Sequence, residues 1–337
     1  MRAAVFTDLI GPDGVSIVDH PDPDPDPGEV VLDVEAASIN RHDLSVLQGE
    51  SGFVDESATP FLSGLDLAGT VRQVGADVEG VAPGDRAVVC PNQTCGTCRY
   101  CREGPENRCE EFSLFHGGFA EAAAVPADRL VPLPDGVDAT VAAALPTAYV
   151  TAYHMLRQAE VGAGDLVFVP GATGGVGVAG VQLADVLGAR SIGTSSSAEK
   201  LDRLDALGAD HTIRGTDPDD LREAVLDVER PDAVLNHLSG EYTQLGLDVL
   251  CRGGRMVACG STAGRRSEIR MGGLFLHHQR LIGSSMGTQG DLETLVDLVA
   301  AGDLAPEIDE TYPLDGAADA FEAMRDRESI GKLVLTP

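Results

Sequence analysis

Four of the seven cysteines fall within one short stretch, and their side chains are the ones best suited to bind a metal. Cys95, Cys98, Cys101 and Cys109 are separated by two, two and seven residues. Four thiolates this close together can complete a tetrahedral shell with no open position, which is typical of a structural zinc site. An iron–sulfur cluster is an alternative, although ferredoxin motifs continue with a shorter third gap and a Cys-Pro pair. Two disulfides are a further alternative, which a reducing compartment disfavours. We therefore expect one structural Zn²⁺.

A glycine-rich turn between an apolar strand and an apolar helix is the second chemical signal. The pattern predicts a strand over 166–169 and a helix over 176–187 that stops at Gly188. Small residues in such a turn let the backbone approach a pyrophosphate, and the helix N-terminus offers N–H groups. The residues expected to contact a dinucleotide there are Ala172 (in place of the first glycine of the fingerprint), Gly174, Gly175, Val176 and Gly177. The alternative is that the glycines serve only close packing of helix on strand.

The residues that distinguish NAD from NADP are expected about 20 residues further on, where NAD-binding sequences carry an acidic residue. This chain has hydroxyl residues instead, among them Ser195 and Ser196, with Lys200 and Arg203 nearby. A carboxylate would repel a 2′-phosphate, whereas hydroxyls and cations accept one. NADP(H) is therefore expected in preference to NAD(H), with Ser195, Ser196 and Lys200 as contacts. Alternatively, Lys200 is an ordinary solvated helix residue.

The charge balance excludes several classes of partner. The chain carries 54 acidic and 24 basic residues, a formal net charge of −30. Such a field repels nucleic acids and anionic membranes, so neither is an expected partner. Lys200 and Lys332 are the only lysines. Acid-rich, lysine-poor surfaces suit molar salt, where screening suppresses self-repulsion. We expect a halophilic host; an acidic mesophilic protein with an arginine-biased genome is the alternative. Neither a membrane span nor a signal peptide is visible, so a cytoplasmic location is expected.

The order of the elements predicts an α/β protein with two kinds of sheet. Short apolar runs at 15–18, 30–34, 67–74 and 86–89 predict strands of a mostly antiparallel unit. The alternating Pro-Asp run over 21–27 predicts a solvated surface connection. From about Tyr149, apolar runs at 191–193, 232–235 and 255–259 alternate with helical patterns, which indicates a doubly wound parallel sheet with crossover helices. One of these helices is expected to begin at Ser196 with a capping box to Glu199. A further helix near 292–299 and a strand over 332–335 end the chain.

With these features in this order, the chain resembles the medium-chain dehydrogenase/reductase superfamily over nearly its whole length. Further matching segments are 64–69 (GLDLAG), 83–87 (PGDRA), 118–121 (GFAE), 145–147 (LPT) and 331–335 (GKLVL). The resemblance implies a GroES-like, mostly antiparallel substrate domain from 1–146 and 281–337, with the zinc lobe at 90–110. It implies a Rossmann NADP(H)-binding domain over 147–280, an active site in the cleft, and a homo-oligomer, dimeric or tetrameric.

The chain departs from the zinc alcohol dehydrogenases of that superfamily at all three catalytic zinc ligands. Asn40, Leu65 and Thr147 stand where those enzymes have a Cys, a His and a second Cys. None of the three is a good zinc ligand, and Leu65 cannot bind a metal at all. The chain is therefore similar to a mixed group that keeps the structural metal and has lost the catalytic one.

The implied activity is the reduction of a quinone or another conjugated or activated carbonyl compound by hydride from NADPH. Without a Lewis acid the acceptor must already be electrophilic, and the product anion then needs a proton. His42 matches a proton-relay position and can do that work near neutral pH; alternatively it is a satisfied, partly buried histidine. Asn40 and Tyr149 are expected to orient the carbonyl, with Asp66 beside them, bound to backbone N–H groups or Arg41.

Other positions are given roles by the resemblance or by their apolar character. Arg41, Thr151 and Lys332 are expected to contact the cofactor. The substrate is expected to be a small apolar carbonyl compound or quinone, because apolar residues are expected to line the cleft, among them Phe53, Phe61, Phe115 and Leu274.

Two alternative functions stay open. One is a zinc alcohol dehydrogenase with altered ligands, such as Asp66 with His42, which would hold two zinc ions per chain instead of one. The other is a protein that binds NADP(H) without turnover. A zinc-ribbon nucleic-acid binder is disfavoured by the charge.

Overall fold

A computed structural model describes residues 1–51, 54 and 56–337. The chain divides into two compact units: Met1–Thr147 with Thr288–Pro337 (unit 1), and Ala148–Gly287 (unit 2). The sequence placed the return to the first domain after residue 280. It lies after residue 287 instead, because a strand at Arg280–Gly283 pairs within the sheet of unit 2. Among the described residues, the structure has no helix that is both long and apolar enough to span a bilayer.

The strands, in chain order, are β1 (Arg2–Phe6), β2 (Val15–Asp19), β3 (Glu29–Ser38), β4 (Asp66–Val74), β5 (Arg86–Val89), β6 (Asn92–Gln93), β7 (Ser113–Leu114), β8 (Ala122–Pro126), β9 (Leu130–Pro132), β10 (Leu166–Val169), β11 (Arg190–Ser195), β12 (His211–Arg214), β13 (Ala233–Asn236), β14 (Arg255–Ala258), β15 (Arg280–Gly283), β16 (Ile308–Pro313) and β17 (Lys332–Thr336). The α-helices are α1 (Arg41–Leu47), α2 (Arg99–Glu103), α3 (Ala139–Ala143), α4 (Val150–Gln158), α5 (Gly175–Val186), α6 (Ala198–Ala206), α7 (Pro218–Val228), α8 (Tyr242–Val249), α9 (Met271–Leu276), α10 (Gln289–Ala301) and α11 (Ala317–Arg325).

Unit 1 is built on a mostly antiparallel sheet, as the alternating apolar runs predicted. Its strand order is β16-β17-β3-β4-β5-β9, with β8 paired to β3, and β16–β17 is its parallel pair. The core on this sheet includes Phe6, Phe119 and Phe321, whose rings meet edge to face. Edge-to-face contact is a favoured aromatic geometry that adds to the hydrophobic burial.

Unit 2 is a parallel, Rossmann-type sheet, which confirms the predicted fold class. The strand order is β12-β11-β10-β13-β14-β15, and all pairs are parallel. Every residue of β10 and β13 is buried. Crossover helices cover both faces of such sheets, so the central strands read as continuous apolar runs.

The start of α6 differs from the predicted capping box. The N-cap is Ser197, whose Oγ accepts the N–H of Lys200 at 3.3 Å. Ser196 lies in the turn before the helix, where its carbonyl accepts Nε of Arg214 at 3.2 Å. The predicted pair of Ser196 with Glu199 is therefore wrong by one residue, because three successive serines offer equivalent caps in the sequence.

Candidate functional site

Three strand ends of unit 1 bring polar residues together. Ser38 ends β3 and pairs with Asp66, the first residue of β4. Ser38 also pairs with Val334 of β17, so Lys332, two residues earlier in that strand, lies at the same end of the sheet. This register brings together residues that are far apart in the sequence.

The carboxylate of Asp66 is the centre of a hydrogen-bonded group, which we call the Lys332 cluster: Ser38, Asn40, Asp66, Thr147 and Lys332. Asp66 accepts Ser38 Oγ at 3.0 Å, Asn40 Nδ2 at 2.9 Å and Thr147 Oγ1 at 2.5 Å. Lys332 Nζ lies 3.4 Å from the same carboxylate and donates to Asn40 Oδ1 at 2.6 Å and to the carbonyl of Ile39 at 3.1 Å. Each N–H of the ammonium group thus has an acceptor.

The burial of this cluster corrects three of the predicted roles. Asp66 is fully buried, Lys332 is 2% exposed and Asn40 is 5% exposed. Lys332 was expected to face the pyrophosphate, but it is the internal counterion of Asp66, and burial lowers its pKa while Asp66 opposes that shift. Asn40 was expected to orient a carbonyl, but its amide is shared between Lys332 and Asp66. Among the described residues, the donors to Asp66 are side chains, and neither Arg41 nor a backbone N–H group is one of them.

A catalytic zinc ion does not fit these residues. The side chains of Asn40 and Thr147 are bound within the Lys332 cluster, and Leu65 is fully buried without a donor atom. The backbone here is also tightly packed: a Cβ at Gly64 would lie 2.6 Å from the nitrogen of Phe119. Within the part of the chain that the structure describes, the cysteine stretch is the one group of three or more potential metal ligands of the His, Cys, Asp and Glu types.

Next to this cluster, unit 1 holds a second polar group, which we call the His42 cluster: His42, Asp43, Ser63 and His116. His42 is half-buried on α1, and its ring centroid lies 5.5 Å from that of His116. Asp43 is fully buried and accepts Ser63 Oγ at 2.6 Å. Burial raises the pKa of Asp43, and the hydrogen bond from Ser63 opposes that rise. Sequence reasoning found His42 but missed Ser63 and His116, which carry no motif of their own.

Two further predicted positions lie on or next to α4 in unit 2, where both are buried. Tyr149 is fully buried and its hydroxyl donates to Gln182 Oε1 at 2.6 Å. It therefore fastens α4 to α5, and its role in orienting a carbonyl stays a prediction. Thr151 is also buried, with its hydroxyl 4.0 Å from the sulfur of Met286. Its contact with a cofactor stays a prediction, as does that of Arg41, which is exposed at the start of α1.

The glycine-rich turn of unit 2 has the geometry that a dinucleotide pyrophosphate needs. Gly174 is the N-cap of α5 and has no side-chain cap, and a Cβ there would meet open space. At Gly177 a Cβ would lie 2.6 Å from Cα of Ala172, so any larger residue would push the turn away from the helix. Ala172 is buried beneath the turn. Gly175 and Val176 form the first turn of α5, whose N–H groups suit an anion.

The end of β11 brings hydroxyl and basic groups together without a carboxylate on that strand. Ser195 Oγ lies 3.3 Å from Thr173 Oγ1 of the glycine-rich turn, and Ser196 is exposed. Lys200 follows in the first turn of α6. Arg214 lies beside Ser196 because β12 is the parallel neighbour of β11. Sequence reasoning missed Arg214, since only the strand order reveals it.

The four cysteines converge around α2. Their sulfur atoms all lie within 4.8 Å of one another. Backbone N–H groups lower the pKa of Cys95 to about 6, whereas burial raises the pKa of Cys101 to about 11. Four converging sulfurs are the donor set of a closed zinc site, so the residues present fit the expected metal.

The apolar residues expected in the cleft have different surroundings. Phe61 packs edge-on against His116, with ring centroids 5.0 Å apart, and Phe115 belongs to the core of unit 1. Leu274 packs on the core of unit 2. Phe53 lies outside the described residues.

Known proteins match this chain over nearly its whole length. Residues 26–135 match the profile of the alcohol dehydrogenase GroES-like domain, and residues 207–335 match that of zinc-binding dehydrogenases. An acryloyl-coenzyme A reductase of Metallosphaera sedula is 31% identical over 328 residues, with 96% of both chains covered. The crystal structure of an NAD-dependent alcohol dehydrogenase has a TM-score of 0.92 and 33% identity, with 100% of both chains covered. A 2-octenoyl-CoA carboxylase reductase, solved with NADP and 2-octenoyl-CoA, has a TM-score of 0.89 and 26% identity, with 99% of this chain and 87% of that chain covered. The chain therefore belongs to the medium-chain dehydrogenase/reductase family of oxidoreductases.

Proposed function

We propose that the chain is an NADPH-dependent reductase of conjugated carbonyl compounds that works without a catalytic metal. The observation that carries this proposal is the Lys332 cluster, in which Asn40 and Thr147 are bound to Lys332 and Asp66 at the positions of lost metal ligands. With no Lewis acid to polarise a simple ketone or alcohol, the acceptor has to be activated by its own conjugation. Quinones, enones and unsaturated acyl thioesters have that property.

The names of two relatives support an acceptor of this class. One is an acryloyl-coenzyme A reductase, and another was solved with 2-octenoyl-CoA. Both names describe a carbon–carbon double bond conjugated to a thioester carbonyl. The family also contains NAD-dependent alcohol dehydrogenases, so the altered-ligand alcohol dehydrogenase is the alternative that an assay must separate.

The cofactor that we propose is NADP(H), held at the glycine-rich turn and the end of β11. When bound, NADPH supplies the hydride. Gly174, Gly175 and Val176 would hold the pyrophosphate at the start of α5, because exposed N–H groups at a helix N-terminus favour phosphate. The groups at the end of β11 would favour the 2′-phosphate, because hydroxyls, an ammonium and a guanidinium accept phosphate oxygens. These groups are Ser195, Ser196, Lys200 and Arg214.

His42 is the proton donor in this proposal. Addition of hydride at the β-carbon of the acceptor leaves an enolate, whose α-carbon then takes one proton from the imidazolium of His42. The imidazole left behind recovers a proton from water. His42 suits this role because it is half-buried beside the carboxylate of Asp43, and an imidazole is the side chain most often used for general acid–base work.

The proposal also includes one structural zinc ion, whose site is separate from any catalytic metal. Cys95, Cys98, Cys101 and Cys109 would hold it, and it would stabilise the lobe without taking part in the reaction. Because four thiols must stay reduced to bind it, the zinc site also agrees with the proposed cytoplasmic location.

We further propose that the chain self-associates through unit 2. Met271, Phe275, Leu276 and Leu281 are large apolar side chains exposed within eleven residues of one another. The last of them belongs to β15, an edge strand whose described partner is β14 alone. An apolar patch beside an open strand edge suits a two-fold contact with a second copy. Leu281→Lys should lower the mass measured by light scattering, whereas an unchanged mass would reject this interface.

The decisive experiment combines metal counting with a substrate comparison on protein kept in molar salt. NADPH oxidation is measured with an enone, a quinone and crotonyl-CoA, and alcohol oxidation with NADP⁺ and NAD⁺. One zinc per chain and turnover of the conjugated acceptors alone would support the proposal. Two zincs with alcohol oxidation would support the altered-ligand alcohol dehydrogenase, and cofactor binding without any turnover would support a binding protein. His42→Gln should reduce turnover about 100-fold or more, with His20→Gln as the control histidine in the same unit.

A further inference from the structure

His116 is a second histidine at the proposed proton-donor site. It follows β7 and lies half-buried between His42 and Phe61. Its ring is tilted by 32° to the ring of His42 and by 64° to that of Phe61. The site therefore has two adjacent imidazoles, although the proposed reaction needs one proton per cycle.

A hydrogen-bonded chain from Asp43 fixes the state of His116. The carboxylate of Asp43 accepts the N–H of Asn40 at 2.9 Å, the N–H of Gly64 at 3.3 Å and the hydroxyl of Ser63 at 2.6 Å. The two N–H groups can only donate, and the hydroxyl of Ser63 donates to Oδ1, so the carboxylate accepts all three hydrogen bonds. The single proton of Ser63 is then committed to Asp43, so its oxygen accepts Nδ1–H of His116 at 3.4 Å. A neutral imidazole with its proton on Nδ1 keeps Nε2 as an acceptor.

The charges around the two rings decide which ring carries a proton. Burial lowers the pKa of His116 to about 4, and a charge on His42 lowers it further. Asp43 interacts electrostatically with His42, Asp66 and Lys332. Among the described residues, the turn Pro12–Gly14 and α11 pack most closely against α1, and their charged groups are exposed or paired with one another: Asp13, Asp319, Glu322 and Arg325. A proton on both rings would place two positive charges side by side, which is unfavourable.

We propose that His42 and His116 form a pair that holds one proton, in which His42 carries the proton and His116 is the neutral positioning residue. The Asp43–Ser63 chain orients His116, and His116 in turn limits the orientations of the His42 ring. This inference deepens the proposed function, because it rests on His42 as the donor to the enolate. It explains why a buried carboxylate and a buried serine lie next to a histidine that itself remains neutral.

The first test follows the ring signals of histidine by NMR during a pH titration of the full chain without substrate. In the native protein the two rings should not be protonated together, and His116 should stay neutral down to about pH 4. His42→Gln should raise the pKa of His116 above about 4 while leaving it below 6.5, because the opposing charge is removed and burial remains. Independent titration of the two rings, or a pKa of His116 that does not change in His42→Gln, would overturn the pair.

The second test measures kcat, KM and their pH profiles for variants of the positioning chain. His116→Phe keeps a ring but loses the hydrogen bond, and we expect kcat to fall between about 10- and 100-fold with little change in KM, as for a misplaced reacting group. His116→Asn keeps an N–H donor toward Ser63 and should recover part of that loss, whereas Ser63→Ala should resemble His116→Phe. His20→Gln is the control and should leave both constants unchanged. Full activity of His116→Phe across the pH range would refute a positioning role.

The two tests separate this inference from the proposed function. The NMR titration needs no substrate, so it reports on the pair even where no conjugated acceptor is reduced. Conversely, if His42→Gln abolishes reduction while the two rings titrate independently, the proposed function survives and the pair does not.

Discussion

The strongest structural test is to remove the buried charge of Lys332. Lys332→Met keeps the length and the apolar part of the side chain but leaves Asp66, which is fully buried, without its cation. Breaking a buried pair by removing one partner costs about 3 to 5 kcal/mol. Because Ser38, Asn40 and Thr147 still donate to Asp66, we expect a loss near the lower end, about 3 kcal/mol. In a unit of this size, that lowers Tm by roughly 6 to 12 °C.

The assay is denaturant unfolding in molar salt followed by circular dichroism, since the chain has no tryptophan. Because the chain has two units, each transition midpoint is compared separately between variants. Lys200→Met, at the only other lysine, is the matched control and should change stability by less than about 0.5 kcal/mol. The double variant Lys332→Met/Asp66→Asn removes both charges and should lose less than Lys332→Met alone. A loss below about 1 kcal/mol in Lys332→Met, or a double variant that loses the sum of both single losses, would refute the buried pair.

The remaining predictions concern the zinc lobe, the cofactor, salt and acid. Cys109→Ser should lower the zinc content from one ion per chain to none and lower the unfolding midpoint of unit 1; retention of zinc would contradict the four-thiolate site. Arg214→Gln should raise KM for NADPH about 10-fold and change KM for NADH little, because a lost charge-assisted hydrogen bond costs roughly 1.5 kcal/mol. Equal changes in KM for both cofactors would reject a contact between Arg214 and the 2′-phosphate. Lowering the salt from about 1 M to 0.1 M lengthens the screening distance from about 3 Å to 10 Å, so the net charge of −30 should destabilise the fold; unchanged urea midpoints would speak against a halophilic host. Burial lowers the pKa of His237 in unit 2 to about 4, so between pH 6.5 and 4 the unfolded state binds more protons than the folded state. The free energy of unfolding should therefore fall as the pH falls. His237→Leu should show a shallower fall of this free energy with pH, and an identical fall would exclude His237 as a cause.

The elements of the fold could be predicted because their residues repeat at short range. The strands over 86–89 and 166–169 begin and end at the predicted residues, and the helix predicted over 176–187 is α5 (Gly175–Val186). In each case an apolar run or a helical period is bounded by a turn residue, such as Gly188 after α5. The cysteine spacing and the glycine-rich turn are likewise local patterns, and so the residues that form them could be named from the sequence.

The surroundings of the candidate site could not be predicted, because they depend on strand register. Lys332 and Asn40 are 292 residues apart, and they meet because β17 pairs with β3; the pairing of β4 with β3 then adds Asp66. The sequence predicted Tyr149 as a polar group near the site. Its contact with Gln182 depends on the packing of α4 on α5, which the sequence does not show. His116 lies in a loop without any periodic pattern, and its neighbours Ser63 and His42 come from other segments. A match to a family motif identifies a candidate residue, but the burial and the hydrogen-bond partners of that residue determine its chemical role.

The side chains at positions 40 and 147 belong to one hydrogen-bonded group and do not act as separate positions. Asn40 needs Lys332 as a donor and Asp66 as an acceptor, and Thr147 donates to the same carboxylate. A cysteine introduced at position 40 or 147 alone would leave a buried partner without its hydrogen bond, and the ammonium of Lys332 would still repel a cation. Introducing a zinc ion here would therefore require displacing Lys332 as well as replacing Leu65. For this reason we expect added metal to leave the substrate range unchanged, and the acceptor to supply its own activation through conjugation.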